Sequence, residues 1–290
     1  MQSVVVVIAC VVLFSVKSLL NKIFALSYEG DKSAATPVFA MISCTGVAIA
    51  TWAFGGFSFT PSGVTWGYGL LNGIALFLLN LSVIQASLTG PYAFQSLMCT
   101  SGCILMPLVF TVLLGGEKIT SMQATGIAIM LVSFVLFNAK GLTLAGAKKG
   151  YLAWVSLLFF SNGFYGVLLE AQQVALARTE RDEMITITFS VCAIISLVYL
   201  LVKKKSAIWG AFRMSKKSWL CALSATVLYT VATNLVVLGL SLMHAPIFHT
   251  SLNGGVLIFS VLLGTAMFRE KFDIYKGTGL ALAVVALVLL

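Results

Sequence analysis

Long apolar runs separated by short polar stretches dominate the pattern of hydrophobic and polar positions along this chain. A helix that crosses the hydrocarbon core of a bilayer needs about 20 mostly apolar residues. Backbone polar groups in lipid must be satisfied internally, which favours helices, whereas a β-barrel would show apolar and polar residues in alternation. The pattern therefore predicts ten membrane-spanning helices, near residues 3–26, 37–55, 66–87, 91–115, 121–138, 150–171, 184–202, 218–241, 246–268 and 274–290.

The fourth and fifth apolar runs return at the C-terminus, which indicates a two-fold internal repeat. Each copy opens with a proline, reaches a Glu-Lys pair and enters a second apolar run that contains glycine. Glu117 matches Glu270 at an offset of 153 residues, and Gly126 matches Gly279 at the same offset. We expect both glutamates to have structural roles in their turns, paired with the adjacent lysines or capping the next helix.

Five helices per repeat is an odd number, so the second copy must begin on the opposite side of the membrane from the first. We therefore expect an all-α integral membrane protein with ten transmembrane helices in two inverted five-helix repeats. The predicted divisions are an N-terminal repeat at 1–139, a basic connecting loop at 140–149 and a C-terminal repeat at 150–290.

The distribution of lysine and arginine predicts the orientation of these helices. Of the 18 basic residues, 14 lie in or beside odd-numbered connections between predicted spans and three lie in even-numbered ones. The connection at 203–217 carries six, and its repeat equivalent at 55–65 carries none. Because cytoplasmic loops carry an excess of basic residues, the odd connections are predicted to face the cytoplasm and both termini to lie outside.

The composition excludes a water-soluble domain, because 60% of residues are hydrophobic and 9% are charged, with a mean hydropathy of +1.04. The net charge of +9 reflects the basic loops, so we expect no nucleic-acid partner. The six cysteines lie in apolar runs and fit no disulfide framework or zinc motif. Cys99 and Cys103 stand one helical turn apart, but no histidine or acid in their own segment completes a site, so no metal is predicted.

Two segments resemble the drug/metabolite transporter superfamily, and in particular its EamA-type ten-helix members. They are LMPLVFTVLLGGEKITSMQATGIAIMLVSFVLFN at 105–138 and FSVLLGTAMFREKFDIYKGTGLALAVVALVLL at 259–290. The resemblance implies a central solute cavity enclosed by the inner helices of both halves, with alternating access by rocking of one half against the other. It further implies peripheral fifth and tenth helices, which offer an interface for a homodimer, and it leaves the cargo open.

The function that these features predict is secondary active transport of a small polar metabolite, with anions bearing a carboxylate or phosphate as one option. The alternatives are an exporter of amines, amino acids or drugs with a neutral or aromatic site, and a lipid flippase or binding protein on the same fold. We expect no enzyme, no catalytic residues and no cofactor, because no clustered acids or histidines and no nucleotide-binding loop occur. The expected partners are a small-molecule substrate and the lipid bilayer. The resemblance favours a prokaryotic inner membrane, with a eukaryotic organelle membrane as the alternative.

Lys17 is the leading candidate for substrate binding, because a charge deep in an apolar run costs several kcal/mol or more unless it is paired or wet. It could anchor a carboxylate or phosphate, or its stem could snorkel to the cytoplasmic interface. Asn21 shares its helix face one turn further on. Glu170 could be its ion-pair partner in an empty cavity, or could lie in an exposed turn.

The remaining candidates for substrate binding are neutral side chains within predicted spans. His249 and Asn253 share a face of the ninth span, where the histidine could carry a coupling proton or form an interhelical hydrogen bond. Amides and hydroxyls in such helices either join helices or contact solute. The candidates of this kind are Asn80, Gln95, Asn162, Tyr165, Tyr229 and Asn234.

Overall fold

The computed structural model describes residues 2–30, 34–90, 92–113, 119–137, 139, 147–177, 179–204, 208–268 and 274–290. In chain order the helices in these ranges are α1 (Gln2–Ser27), α2 (Ala35–Phe54), α3 (Gly63–Thr89), α4 (Tyr92–Leu113), α5 (Ser121–Phe137), α6 (Tyr151–Ala175), α7 (Arg181–Lys204), the short α8 (Ile208–Ala211), α9 (Lys216–Leu242), α10 (Ala245–Phe268) and α11 (Ile274–Leu289). The prediction of an all-α chain with ten long helices is confirmed. Glu117, Glu270 and residues 140–146 of the predicted connecting loop lie outside the described residues.

Six of the described helices are long and apolar enough to cross a membrane. The qualifying segments are Gln2–Asn21, Ala35–Phe54, Gly63–Ala86, Tyr151–Ala175, Arg181–Lys203 and Lys216–Leu242. Shorter apolar stretches follow at Leu97–Phe110, Ser121–Leu136 and Gly277–Leu289. Large apolar side chains such as Val5 and Leu220 are more than half exposed, at 64% and 67%, as expected of surfaces that face lipid. The chain is therefore compatible with an integral membrane protein.

Local sequence accounts for several helix ends. At the start of α5, the Thr120 hydroxyl accepts a bond from the Gln123 N–H and the Gln123 carboxamide accepts one from the Thr120 N–H, which forms a capping box. Pro246 lies in the first turn of α10, where a proline removes no helical hydrogen bond. Pro107 lies inside α4 and has no N–H to offer the carbonyl of Cys103.

The helix boundaries repeat with the offset seen in the sequence. The helix α9 begins and ends 153 residues after α3 begins and ends, and α10 and α11 begin 153 residues after α4 and α5. The helices α6 and α7 begin 149 and 146 residues after α1 and α2. These spacings are consistent with the predicted repeat, and the repeat and the division of the chain at 139 and 150 stay predictions.

Packing divides the chain into two compact units, and each unit draws on both halves of the sequence. Unit 1 comprises Met1–Val12, Ser82–Val167 and Leu238–Leu290, and unit 2 comprises Leu13–Leu81 and Leu168–Val237. The helices α1, α3, α6 and α9 each contribute to both units. A buried cluster in unit 1 joins α4, α5 and α11, and a buried cluster in unit 2 joins α1, α2, α7 and α9.

Repeat-equivalent helices pack against each other within each unit. In unit 2, α2 packs along α7: the Cys44 and Cys192 sulfurs lie 3.6 Å apart, and Gly55, directly after α2, approaches Asp182 in the first turn of α7. In unit 1, α5 packs along α11: Gly126 approaches Ala286, and the Ser133 hydroxyl donates to the Gly279 carbonyl at 2.6 Å. In both pairs the residue numbers change in opposite directions, so the paired helices are antiparallel.

Connections of the same parity meet at the ends of the units. In unit 2 the first connection meets the seventh, and the second meets the sixth; in unit 1 the third meets the fifth. The contacts lie in these connections or at the helix ends beside them. They are Ser27 Oγ to Ser218 Oγ at 3.0 Å, Ser62 N to Glu180 Oε2 at 2.9 Å, and Lys148 N to Thr89 O at 2.7 Å. This grouping agrees with the one that the basic residues predict, while the side of the membrane for each group stays a prediction.

Candidate functional site

The Lys17 ammonium lies over the face of the Tyr229 ring in unit 2, with Nζ 3.6 Å from the ring centroid. The ring is itself held by edge-on contacts to Phe189, at 5.3 Å between centroids, and to Phe14, at 6.2 Å. A desolvated cation over an aromatic face gains about 2 kcal/mol. Three rings from α1, α7 and α9 therefore fix the position of the ammonium.

The position of Tyr229 along α9 bears on the two hypotheses for Lys17. Tyr229 is the midpoint of α9, which begins at Lys216 and ends at Leu242. At 1.5 Å rise per residue, it lies about 20 Å from either end of the helix. The Lys17 ammonium is therefore held beside the middle of α9, which favours the buried position over snorkelling, and the choice between the two stays a prediction.

The described surroundings of Lys17 are uncharged. In the part of unit 2 that the structure describes, no carboxylate forms an ion pair with Lys17, and the titratable group close enough to interact with it is the Cys44 thiol. Glu170 is buried, at 8% exposure, so its placement in an exposed turn is wrong. The Lys17 side chain faces the Tyr229 ring rather than the Glu170 carboxyl.

Two of the predicted amides in unit 2 join helices. The Asn80 amide of α3 donates to the sulfur of Cys192 on α7 at 3.8 Å. The Asn234 amide of α9 donates to the carbonyl of Thr230 at 2.9 Å and to the Thr51 hydroxyl of α2 at 3.5 Å. These two asparagines, which match across the repeat, therefore have interhelical contacts.

Unit 2 also contains buried polar atoms for which the described structure shows no hydrogen-bond partner. Both amide atoms of Asn72 belong to this group, although the residue is 0% exposed. The others in this unit include Ser15 Oγ, Asn21 Oδ1, Thr186 Oγ1 and Thr233 Oγ1. A buried polar group left unsatisfied costs about 1–3 kcal/mol, so water or solute would bind favourably to such groups.

Of the five residues named here, sequence reasoning found Asn21 and missed the other four. Asn21 follows Lys17 by one helical turn, and Thr233 follows Tyr229 by one turn, so both continue the faces that carry the cation and the ring. Asn72 could have been noticed as an amide within a glycine-rich apolar run. Serine and threonine gave no usable signal, because their hydroxyls commonly bond back to their own helix.

The predicted candidates of unit 1 are held by neighbouring groups. The Asn162 amide donates to the Cys99 carbonyl at 2.8 Å, the Asn253 amide donates to the His249 carbonyl at 2.7 Å, and the Gln95 amide donates to the Val83 carbonyl at 2.9 Å. These bonds favour structural roles for the three residues over substrate binding. Tyr165 lies half-buried on α6 in the same unit.

His249 meets Cys103 across α10 and α4, with Nδ1 3.6 Å from Sγ. The structure thus brings a histidine to the cysteine pair whose own segment lacks one. No group of three or more metal-ligating side chains forms within the described residues. The Nε2 atom is buried without a described hydrogen-bond partner, and a Cβ added at Gly166 of α6 would lie 3.4 Å from it.

A polar network that sequence reasoning missed lies at the end of unit 2 where the second and sixth connections meet. Glu180 Oε2 accepts hydrogen bonds from the Ser62 N–H and the Ser62 hydroxyl, each at 2.9 Å. A hydrogen bond from the Thr65 side chain, together with those from Ser62, lowers the pKa of the Glu180 carboxyl below its usual value. Thr65 Oγ1 in turn accepts from the Gln172 amide at 3.0 Å.

The fold recurs in solved structures, whereas no family model and no curated protein matches this chain. Matching structures amount to 28 chains. One, described as "Crystal structure of protein", has a TM-score of 0.75 and 15% sequence identity, and the match covers 100% of this chain and 97% of that one. The likeness shows a shared fold over the whole chain. The shared fold is all-helical, and it does not by itself identify a function.

Proposed function

We propose that this chain is a secondary active transporter that moves a small polar metabolite across a membrane, with anions bearing a carboxylate or phosphate as its cargo. The observation that carries the proposal is the Lys17 ammonium at mid-helix in unit 2, over the Tyr229 ring and without a described carboxylate partner. Intramembrane charges are costly, and they mark solute and ion pathways.

The energetics favour an anionic ligand at Lys17. A charge at the centre of a spanning helix costs about 2.5–3.5 kcal/mol on insertion scales. The contact with Tyr229 offsets about 2 kcal/mol of this cost. In the same unit, Asn72 Nδ2 could donate to an acceptor oxygen of the solute, and Asn21 Oδ1 could accept from a hydroxyl or amino group of the solute. An anion that replaces the ring as the partner of Lys17 therefore gains a charge pair.

The packing of equivalent helices supports alternating access. Inverted repeats place equivalent helices in opposite orientations, which lets two related halves exchange conformations around one site. The antiparallel pairs α2–α7 and α5–α11 and the repeated helix boundaries fit that arrangement. The resemblance of 105–138 and 259–290 to EamA-type transporters points to the same mechanism, and the basic odd connections favour a cytoplasmic position with both termini outside an inner membrane.

The aromatic rings around Lys17 favour a second candidate, an exporter of amines. Tyr229, Phe14 and Phe189 present ring faces and edges of the kind that bind cationic ligands. The ammonium of Lys17 already lies on the Tyr229 face, however, and would repel a second cation. The anion is therefore the better-supported cargo.

A thermal-shift screen of the detergent-purified protein tests the choice of cargo. The library contains carboxylates, sugar phosphates, amino acids, amines and neutral sugars, and the variants are Lys17→Gln and the control Lys203→Gln at an exposed position. A ligand at 100 times its Kd stabilises the native state by about 2.7 kcal/mol, which corresponds to a shift of several degrees. We expect anions to raise the Tm of the wild type and of Lys203→Gln, but not that of Lys17→Gln.

The opposite pattern would reject the anion site. If amines raise the Tm of the wild type and of Lys17→Gln equally while anions have no effect, the aromatic amine site replaces it. A stabilising solute is then tested for uptake into proteoliposomes, because a binding protein would show the Tm shift without flux.

A further inference from the structure

Backbone strain in the described part of the chain is concentrated at one end of unit 2. Three non-glycine residues there have a positive φ: Phe57 at 59°, Ala177 at 48° and Glu180 at 53°. Phe57 lies in the connection between α2 and α3, and the other two lie in the connection between α6 and α7. Non-glycine residues persist in this region only where their surroundings hold them, and such positions cluster at clamps and switches.

The two strained connections are tied together by one carboxylate. Glu180 accepts from the N–H and the hydroxyl of Ser62, directly before α3 begins at Gly63. The Ser62 hydroxyl lies 3.3 Å from the Thr65 N–H, so it also caps α3. Hydrogen bonds to a charged acceptor are stronger than neutral ones. The carboxylate thus supplies the strong bonds that hold the start of α3 against the sixth connection.

The bonds continue from these connections into the buried part of unit 2. Thr65, which is 0% exposed, bonds to both Glu180 and Gln172, and the Gln173 amide donates to the Gln172 carbonyl oxygen. Gln172 and Gln173 are buried at 0% and 4% exposure near the end of α6. The Glu180 carboxylate is therefore linked through Thr65 to α6 as well as to the start of α3.

The other end of unit 2 is closed differently. There the Ser215 and Ser218 hydroxyls donate to the Ser27 carbonyl at 3.1 and 2.7 Å, and the Tyr28 hydroxyl donates to the Ala211 carbonyl. These bonds are neutral, and no non-glycine residue with a positive φ lies in the described residues at that end. Strain and a charged bond therefore occur together at the Glu180 end.

We propose that the second and sixth connections form a latch on unit 2, held closed by the Glu180 carboxylate and opened to admit water and solute towards the interior of that unit. The opening step rests on the proposed transport function. The strain stored at Phe57, Ala177 and Glu180 favours release, and the hydrogen bonds to Ser62 and Thr65 oppose it. Because the strain and the hydrogen bonds have opposite effects, the closed and open states of the latch can differ little in free energy.

Among the described residues, Glu180 is the one charged group that forms hydrogen bonds between the two connections of the latch. Arg181 pairs with Asp182, with Nε 3.3 Å from Oδ1, and Asp182 lies beside Gly55. The second connection itself contains no charged residue between 55 and 62. Glu183, in the first turn of α7, has no described hydrogen bond to α3 and offers a matched control.

The native cysteines allow opening of the latch to be measured without introducing new cysteines. Cys44 and Cys192 are buried in unit 2, about 15 Å along α2 and α7 from the latch at 1.5 Å per residue. The experiment measures the labelling rate of each by a small water-soluble methanethiosulfonate in proteoliposomes, with the labelled cysteine identified by peptide mass spectrometry. Hydrogen–deuterium exchange of residues 56–66 is measured on the same samples.

We expect Glu180→Ala to raise both the exchange rate of 56–66 and the labelling rate of Cys44 and Cys192 at least tenfold, and Glu183→Ala to change neither. Ser62→Ala, which removes one donor from the other side, should give a smaller rise in both. Faster exchange with unchanged labelling would show that Glu180 only caps α3, and would overturn the latch, as would no change in either quantity. Neither readout needs a transported solute, so a failure of the transporter proposal shows separately in the thermal-shift screen.

Discussion

At the scale of the residue, the contact between Lys17 and Tyr229 is the basis of the proposed anion site. An ammonium without a carboxylate partner among the described residues is tolerated beside the middle of α9 because an aromatic face replaces part of its hydration. The same contact keeps the cation available, since a ring is a weaker partner than an anion. The arrangement therefore suits reversible binding better than a permanent buried ion pair would.

A double-mutant cycle measures this contact. Tyr229→Leu should cost about 2 kcal/mol more in the wild-type background than in Lys17→Met, because only the wild type loses the cation–π interaction. Tyr229→Phe should keep most of that coupling energy, since the ring face remains. The free energy of unfolding in detergent is the measured quantity. A coupling energy near zero would show that the ring packs against Lys17 without stabilising its charge.

At the scale of the element, glycines on one face of α3 allow close packing against α7. A Cβ at Gly73 would lie 2.6 Å from the Cβ of Val191 and 2.8 Å from the carbonyl oxygen of Thr188, closer than real contacts allow. A Cβ at Gly69 would likewise meet Ile187 at 2.6 Å. Small residues four apart let membrane helices approach with their backbones. The amide of Asn80, further along α3, bonds to α7 as well.

Two substitutions on α3 test whether this close packing matters for stability. Gly73→Ala should destabilise the protein by about 1–3 kcal/mol, because α3 and α7 must move apart. Gly67→Ala, on the same helix with nothing within 4 Å of the new Cβ, should be neutral or stabilising by up to about 1 kcal/mol. Thermal unfolding of both variants in detergent gives the comparison. Equal Tm values for the two would mean that α7 yields without strain.

At the scale of the whole molecule, the chain builds two units from interleaved parts of both sequence halves. Unit 1 takes α4 and α5 from the first half and α10 and α11 from the second, whereas unit 2 takes α2 and α7. Equivalent helices therefore pack with one another inside a unit rather than within their own half. The antiparallel sense of α2 with α7 and of α5 with α11 is consistent with an inverted repeat, which stays a prediction.

Cysteine accessibility in intact cells tests the resulting topology. A membrane-impermeant maleimide added outside should label Ser58→Cys, in the second connection, and should label Lys203→Cys, at the basic seventh connection, only after the membrane is made permeable. The physical reason is the excess of basic residues in odd connections. Both positions are exposed, so access rather than burial decides the outcome. Labelling of both from outside would contradict the assigned orientation.

The sequence by itself determined the elements, which are ten long helices with their approximate ends, while the repeat that relates them stays a prediction. The predicted span at 218–241, for example, became α9 at Lys216–Leu242. These features are local, because the length of an apolar run, a capping pair such as Thr120 and Gln123, or a proline in a first turn acts through neighbouring residues. Lys17 and Tyr229 were also found as separate candidates.

Only the tertiary structure decided which of these residues meet. Lys17 lies over Tyr229 rather than against Glu170, His249 reaches Cys103 from 146 residues away, and Glu180 closes on Ser62 from 118 residues away. Such contacts depend on the rotation and direction of helices that are distant in the chain. Many apolar faces could pack with similar burial, and the sequence pattern alone does not distinguish them. The partners of the charged and polar groups follow from that packing.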